Sequence, residues 1–210
     1  MKLRRRRTAI VLSILTIASG LVFSFPASAN RRRPLSTAYV SQPQIVQLVK
    51  EIDARNIERT IRKLVSFGTR NTLSAQNDPN RGIGAARDYL FAEFSKAAQQ
   101  SGGRMTVEKQ TFEQPKAARV PTPTMVTNIV ATLRGTQPES ASRTYVVSGH
   151  YDSMCGSPTD AVCDAPGGND DASGTAAVLE MARVMAKYEF DATIIFMAVA
   201  GEEQGLLGST

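Results

Sequence analysis

Few folds accommodate the stretch from Ala192 to Ala200, which runs for the length of one strand without a charge and is followed at once by Gly201-Glu202-Glu203. An apolar strand that does not alternate is the pattern of a strand covered on both faces. Upstream, Met105 to Phe112 alternates, Met125 to Leu133 is β-branched with Asn128 inside it, and Thr144 to Val147 is a short buried run. Helical spacing relates Ile45, Leu48, Val49, Ile52, Ile57, Ile61, Leu64 and Val65, predicting one or two amphipathic helices that end near Phe67-Gly68. Ile83, Ala86, Leu90, Phe94 and Ala97 mark the next helix, closed by Gly102-Gly103. A further helix runs from about Ser173 to Lys187, with Val178, Met181, Ala182 and Met185 as its core face. The polar segments Asn71 to Arg81, Pro115 to Pro123, Gly135 to Ser142 and Tyr151 to Asp171 connect these elements. Alternating helices and strands, with no internal repeat, predict a three-layer α/β domain.

The net charge of +6 is misleading about partners. Eight of the 25 basic residues precede Pro34 while all 19 acidic residues follow it, leaving 17 basic against 19 acidic and a net of −2. The main body is close to neutral, so the charge argues for no nucleic-acid partner. The early charges instead belong to an export signal. Lys2 and Arg4 to Arg7 precede the uncharged run Thr8 to Phe25, Pro26 breaks it, and Ala27-Ser28-Ala29 supplies the small residues of a cleavage site. Residues 1–29 are therefore expected to be a signal peptide, cut before Asn30. That implies a secreted or periplasmic protein without stable membrane insertion after cleavage. An uncleaved anchor is the alternative, because an apolar run of this length is just able to span a bilayer. Residues 30–43, with three arginines and two prolines, read as a flexible lead-in.

Chemistry concentrates in the last sixty residues or so. His150, the only histidine, follows the strand Tyr145-Val146-Val147 directly after Ser148-Gly149, with Asp152 two positions on. Asp170-Asp171 lies inside Pro166-Gly167-Gly168-Asn169-Asp170-Asp171-Ala172-Ser173-Gly174, and Glu202-Glu203 closes the next strand. All three groups fall where strands end, which is where ligands gather in open α/β sheets. Zinc takes neutral imidazole and carboxylate oxygen, and one carboxylate can bridge two ions. An adjacent Glu pair can aim one carboxylate at a metal and the other at a water beside it. Taken singly, each group has a plainer reading: a surface His-x-Asp pair, a helix N-terminus capped by Asp171 or Ser173, a solvated Glu pair. Their order and their common position at strand ends favour a metal site.

These motifs resemble those of the co-catalytic dizinc aminopeptidases of the bacterial leucyl aminopeptidase type. The resemblance rests on His150-Tyr151-Asp152-Ser153, Pro166 to Gly174, and Glu202-Glu203 with Gly205-Leu206-Leu207-Gly208-Ser209. It reaches back to Phe67-Gly68-Thr69-Arg70 and Thr127 to Ala131, and so covers roughly Ile45 to Thr210. It implies a zinc exopeptidase-like three-layer α/β sandwich with a central mixed sheet, residues 44–210 being the N-terminal part of the catalytic domain. By the same resemblance His150 binds one zinc, Asp170 bridges two, and Glu203 binds the other. Glu202 is then the general base and Asp152 orients His150, while Asp171 shapes a turn that in the family often holds an unusual peptide bond. The implied reaction is attack of a zinc-bound hydroxide on the first peptide bond of a substrate with a free N-terminus.

The family draws a further Asp and a further His from beyond the Glu-Glu motif, and here the sequence reaches Thr210 with His150 its only histidine. The resemblance therefore implies a chain cut short of its C-terminal ligands, with a site expected to be weak or inactive. Glutamate carboxypeptidase-like and glutaminyl cyclase-like relatives are alternatives, as is a non-catalytic module that kept the fold. Asn169 to Gly174 is closer to the aminopeptidase form of the motif. Cys155 and Cys163 stand eight positions apart in the loop between His150 and Asp170. In an exported protein they are expected to form a disulfide, with metal ligation the alternative.

Overall fold

A computed structural model describes residues 42–210, so the expected signal peptide and all but the end of the lead-in lie outside the described residues. Helix α1 (Pro43–Lys50) begins on a proline, whose fixed φ suits a first helical position. Helix α2 (Ala54–Val65) is capped by Asp53, whose carboxylate accepts the Arg55 backbone N–H at 3.0 Å. The expected pair of helices is thus present, and it stops where Gly68 takes a φ of +71°. Helix α3 (Ile83–Gln99) buries Ile83, Ala86, Leu90, Phe94 and Ala97, the five residues whose spacing marks it in the sequence. Leu90 and Phe94 are wholly buried and contribute about 1.5–3 kcal/mol each. That outweighs surface pairs on the same helix such as Glu93–Lys96, where ~0–1 kcal/mol is usual.

Strands β1 (Met105–Gln114) and β2 (Thr124–Leu133) pair antiparallel, from Met105 opposite Leu133 to Gln114 opposite Thr124. Strand β3 (Thr144–His150) is joined through helix α4 (Ser173–Met185) to β4 (Thr193–Val199), and the two strands run parallel. A parallel pair needs such a crossover. Because β2 runs antiparallel to β4, the sheet is mixed, in the order β1-β2-β4-β3. Helices α3 and α4 cover the face carrying Ile129, Ala131, Leu133, Phe196 and Ala198, all 0% exposed. The fold is the expected mixed-sheet α/β architecture.

Two expectations about burial need correction. Thr144 to Val147 is not a buried run: Tyr145 and Val146 are each 59% exposed, because β3 is the outermost strand of the described sheet. The Ala192–Ala200 run is covered less completely on one face than on the other among the described residues. Phe196 and Ala198 are wholly buried, whereas Ile195 and Met197, which alternate to the other face, are half-buried. Among the described residues no helix is long and apolar enough to cross a membrane.

Candidate metal centre

The sheet topology brings the carboxyl ends of β3 and β4 side by side, since His150 pairs with Val199. Gly149 lets this end sit tight against α4: a Cβ there would lie 2.7 Å from the Gly174 carbonyl carbon and the Thr175 nitrogen. The Thr175 hydroxyl in turn donates to the His150 carbonyl oxygen at 2.9 Å. His150 thereby leaves the sheet with its ring facing the turn Gly168–Ala172 and the segment after β4. Its Nε2 lies 3.0 Å from Asp170 Oδ1 and 4.0 Å from Glu202 Oε2. Ligand atoms of His150, Glu202 and Glu203 all fall within 4.8 Å of one another. The structure therefore brings His150, Glu202 and Glu203 together and sets Asp170 against His150, four expected residues from three separate segments.

The electrostatics of that point are unbalanced. Among the described residues none of the Asp170, Glu202 and Glu203 carboxylates forms an ion pair with a lysine or arginine. Burial, with repulsion from Asp152 and Asp170, pushes the Glu203 carboxyl above the usual range. Burial lowers the His150 imidazolium, but the Asp152 hydrogen bond and the surrounding carboxylates more than offset it and raise the ring to about 9. One imidazole and three uncompensated carboxylates are a donor set suited to zinc. His150 Nδ1 and Asp152 Oδ1 are buried without another partner and face each other at 3.5 Å. That is the arrangement in which a carboxylate fixes the tautomer of a ligating histidine. The residues fit the metal that the resemblance implies.

Asp171 does not point at the cluster. Its two oxygens accept the His150 backbone N–H at 3.1 Å and the Gly174 N–H at 2.8 Å, tying the end of β3 to the start of α4. The Asp170–Asp171 peptide bond is cis, the unusual bond expected there. Cys155 and Cys163 are joined in a disulfide, as expected. The loop they close is tied inward, since the Pro158 carbonyl accepts from Asn71 Nδ2 at 3.1 Å and Gln204 Nε2 at 2.8 Å.

Several residues that sequence reasoning passed over hold this arrangement. Arg70 is wholly buried and meets no carboxylate. Its guanidinium donates to the carbonyls of Tyr151 (2.7 Å), Leu64 (3.2 Å), Pro166 (2.8 Å) and Gly167 (3.0 Å). Burial lowers its pKa to about 10, with Asp152 and Asp171 opposing the shift. Asn128 on β2 accepts the Ala200 N–H at 3.1 Å and donates to the Gly208 carbonyl at 2.7 Å, bracing the turn that carries both glutamates. Arg119, from the β1–β2 loop, donates to the Glu203 carbonyl at 3.1 Å. Thr72, 1% exposed, lies between Asp152 and Gly201. Only Arg70 and Asn128 fall within motifs visible in the sequence, and nothing local announces their partners.

A mixed α/β sheet with His, Asp and Glu gathered at its carboxyl end is the frame of the candidate site. Residues 128–210 match the model of peptidase family M28, a span that holds the second half of β2, all of β3 and β4, and every candidate ligand. Over 168 residues the chain is 54% identical to a probable zinc metalloprotease of Leptosphaeria maculans, a match covering 80% of this chain and 38% of that protein. The chain thus spans well under half the length of this curated relative. The fold is similar to that of an aminopeptidase from Aneurinibacillus sp. strain AM-1, with TM-score 0.59 and 16% identity, over 78% of this chain and 66% of the other. It is also similar to a glutaminyl cyclase of Porphyromonas gingivalis, with TM-score 0.54 and 25% identity, over 75% and 49% of the two chains.

Proposed function

We propose that this chain carries the metal-binding half of an exported aminopeptidase active site, acting on peptides with a free N-terminus. The observation that supports it is the meeting of His150 with Glu202, Glu203 and Asp170, none of these carboxylates being paired with a lysine or arginine among the described residues. In this reading His150, Asp170 and Glu203 would hold the zinc.

Zinc bound there supplies Lewis acidity, polarising a peptide carbonyl and easing the deprotonation of water at neutral pH. The remaining work falls to the chain. Glu202, with its side chain 36% exposed, stands at the open side of the cluster and takes the proton of the attacking water. It returns that proton to the leaving amine, which departs as a neutral group. Asp152 keeps the Nδ1 side of His150 occupied, so Nε2 remains free as a ligand.

The test uses the chain extended with its natural downstream sequence, a leucyl peptide and elemental analysis for zinc. Glu202→Gln should retain zinc yet lose turnover by about 10²–10⁴-fold, because an amide cannot shuttle the proton. Asp170→Asn should lose metal instead, a neutral amide being a poor bridge between cations. Near-normal turnover in Glu202→Gln removes the base from this assignment. The likeness to a glutaminyl cyclase favours a second reading, in which glutaminyl peptides are consumed while leucyl peptides are not. Asn169 to Gly174 favours the aminopeptidase, and running the two substrates side by side separates the readings.

A further inference from the structure

The geometry points to Thr72 as a positioning residue whose hydroxyl locks the Asp152 carboxylate and so sets how tightly His150 and Glu203 hold zinc. This rests on the metal-site reading above and names a residue for which neither motif nor comparison supplies a role.

Asp152 is wholly buried, and its Oδ2 accepts two hydrogen bonds, from the Thr72 hydroxyl at 3.2 Å and the Glu203 backbone N–H at 3.2 Å. The Thr72 oxygen in turn accepts the Gly201 backbone N–H at 3.0 Å. A threonine hydroxyl has one proton. Its oxygen is engaged by Gly201, and the proton is committed to Asp152, so the polarity of the chain Gly201 N–H to Thr72 to Asp152 is fixed. With Oδ2 held from two sides, the carboxylate plane is set and Oδ1 is left facing His150 Nδ1. The same two bonds tie the end of β3 to the segment that carries Glu202 and Glu203. One hydroxyl therefore registers two ligand-bearing strand ends against each other.

Thr72 is itself held firmly. Arg70 and Asn71 beside it are both 0% exposed, and Asn71 Oδ1 accepts the Leu73 N–H at 2.9 Å. Groups that fix the orientation of a ligating histidine, as Thr72 does through Asp152, typically change metal affinity by about 10–100-fold when removed. Without the hydroxyl, Asp152 Oδ2 keeps one donor in place of two, and Gly201 N–H loses its acceptor in a buried place.

The experiment measures zinc affinity of the full chain by competition with a chromophoric chelator, together with the melting temperature of the zinc-free protein. Thr72→Val keeps the shape and loses the hydroxyl; Thr72→Ala and Thr72→Ser differ from each other only by that hydroxyl. Zinc binding should weaken about 10–100-fold in Thr72→Val and Thr72→Ala and stay within about threefold of the parent in Thr72→Ser. If Thr72→Val fails to fold, the Ala/Ser pair decides alone. Equal affinity in that pair overturns the inference, as does a fall in melting temperature without any change in zinc affinity. A parent chain that binds no zinc defeats the metal-site reading itself, a different failure from equal binding by parent and variants.

Discussion

The two ends of α4 use similar polar chemistry in opposite surroundings. At its start, Arg70, Asp152 and Thr72 are all at most 1% exposed and satisfy backbone groups from several loops. About 20 Å away, one rise of 1.5 Å per residue along the helix, Glu51 takes the hydroxyl of Tyr188 and the ammonium of Lys187 at 3.0 Å. There the side chains of Lys187 and Glu51 remain 38% and 24% exposed. Water competes for the second set and not for the first. The same count of hydrogen bonds should therefore be worth several-fold more at the metal end, whatever their lengths.

Arg70→Met gives the hardest test of that contrast. It leaves four carbonyls without their donor, and the expected loss is about 3–5 kcal/mol, at a cost of about 1–3 kcal/mol for each unmet buried group less the gain from removing a buried charge. Urea unfolding measures it, and a loss below about 1 kcal/mol would break the comparison. Next in size, Cys155→Ser with Cys163→Ser opens the loop whose Pro158 carbonyl holds Asn71 and Gln204. Loop-closure entropy for so short a loop is about 2–3 kcal/mol. The same double variant checks that the metal end depends on this clip: unreduced parent should show no free thiol on alkylation, and its stability should fall to that of the variant when a reductant is added.

The far end should respond much less. Lys187→Ala is expected to lower the melting temperature by no more than about 2 °C, as is usual for an exposed pair. The smallest effect is a pH effect. Hydrogen bonds from Tyr188 first, then from Lys187 and Gln47, hold the Glu51 carboxyl down to about 2 from an ordinary 4.5. A carboxyl depressed in the folded state adds stability above its unfolded pKa and loses it as pH falls toward the folded one. The stability difference between parent and Glu51→Gln should thus be full above pH 4.5 and vanish near pH 2. A difference that persists unchanged at pH 2 would show that the contact is not ionic.

The two ends also differ in how legible they were. His150, Asp170, Glu202 and Glu203 sit in compact motifs after strand-like runs, so residue type and position sufficed to group them. Cys155 and Cys163 are eight apart, and a short loop limits their choices. The helices showed because α3 repeats its buried residues at helical spacing. What stayed hidden is non-local. Thr72 meets Asp152 across 80 positions and Gly201 across 129, and a lone threonine in a polar turn carries no trace of either. Arg70 stands in a stretch that the resemblance covers, but its burial was hidden, since an arginine that answers only to carbonyls has no acidic partner to reveal it. The exposure of Tyr145 and Val146 was hidden for a related reason: an apolar run gives a strand but not its rank in the sheet.

The long reach of Thr72 also sets an order of events during synthesis. The β1–β2 hairpin has its partners close in sequence and can form while the rest of the chain is still being made. The joint between Thr72 and Gly201 has to wait for 129 further residues. Until β4 and its turn have emerged from the ribosome, His150 can have a strand and a helix beside it but no Glu202 or Glu203. A nascent chain is thus a poor trap for metal through most of its elongation. His150, Glu202 and Glu203 come together late and almost at once, when β4 docks between two strands that are already waiting.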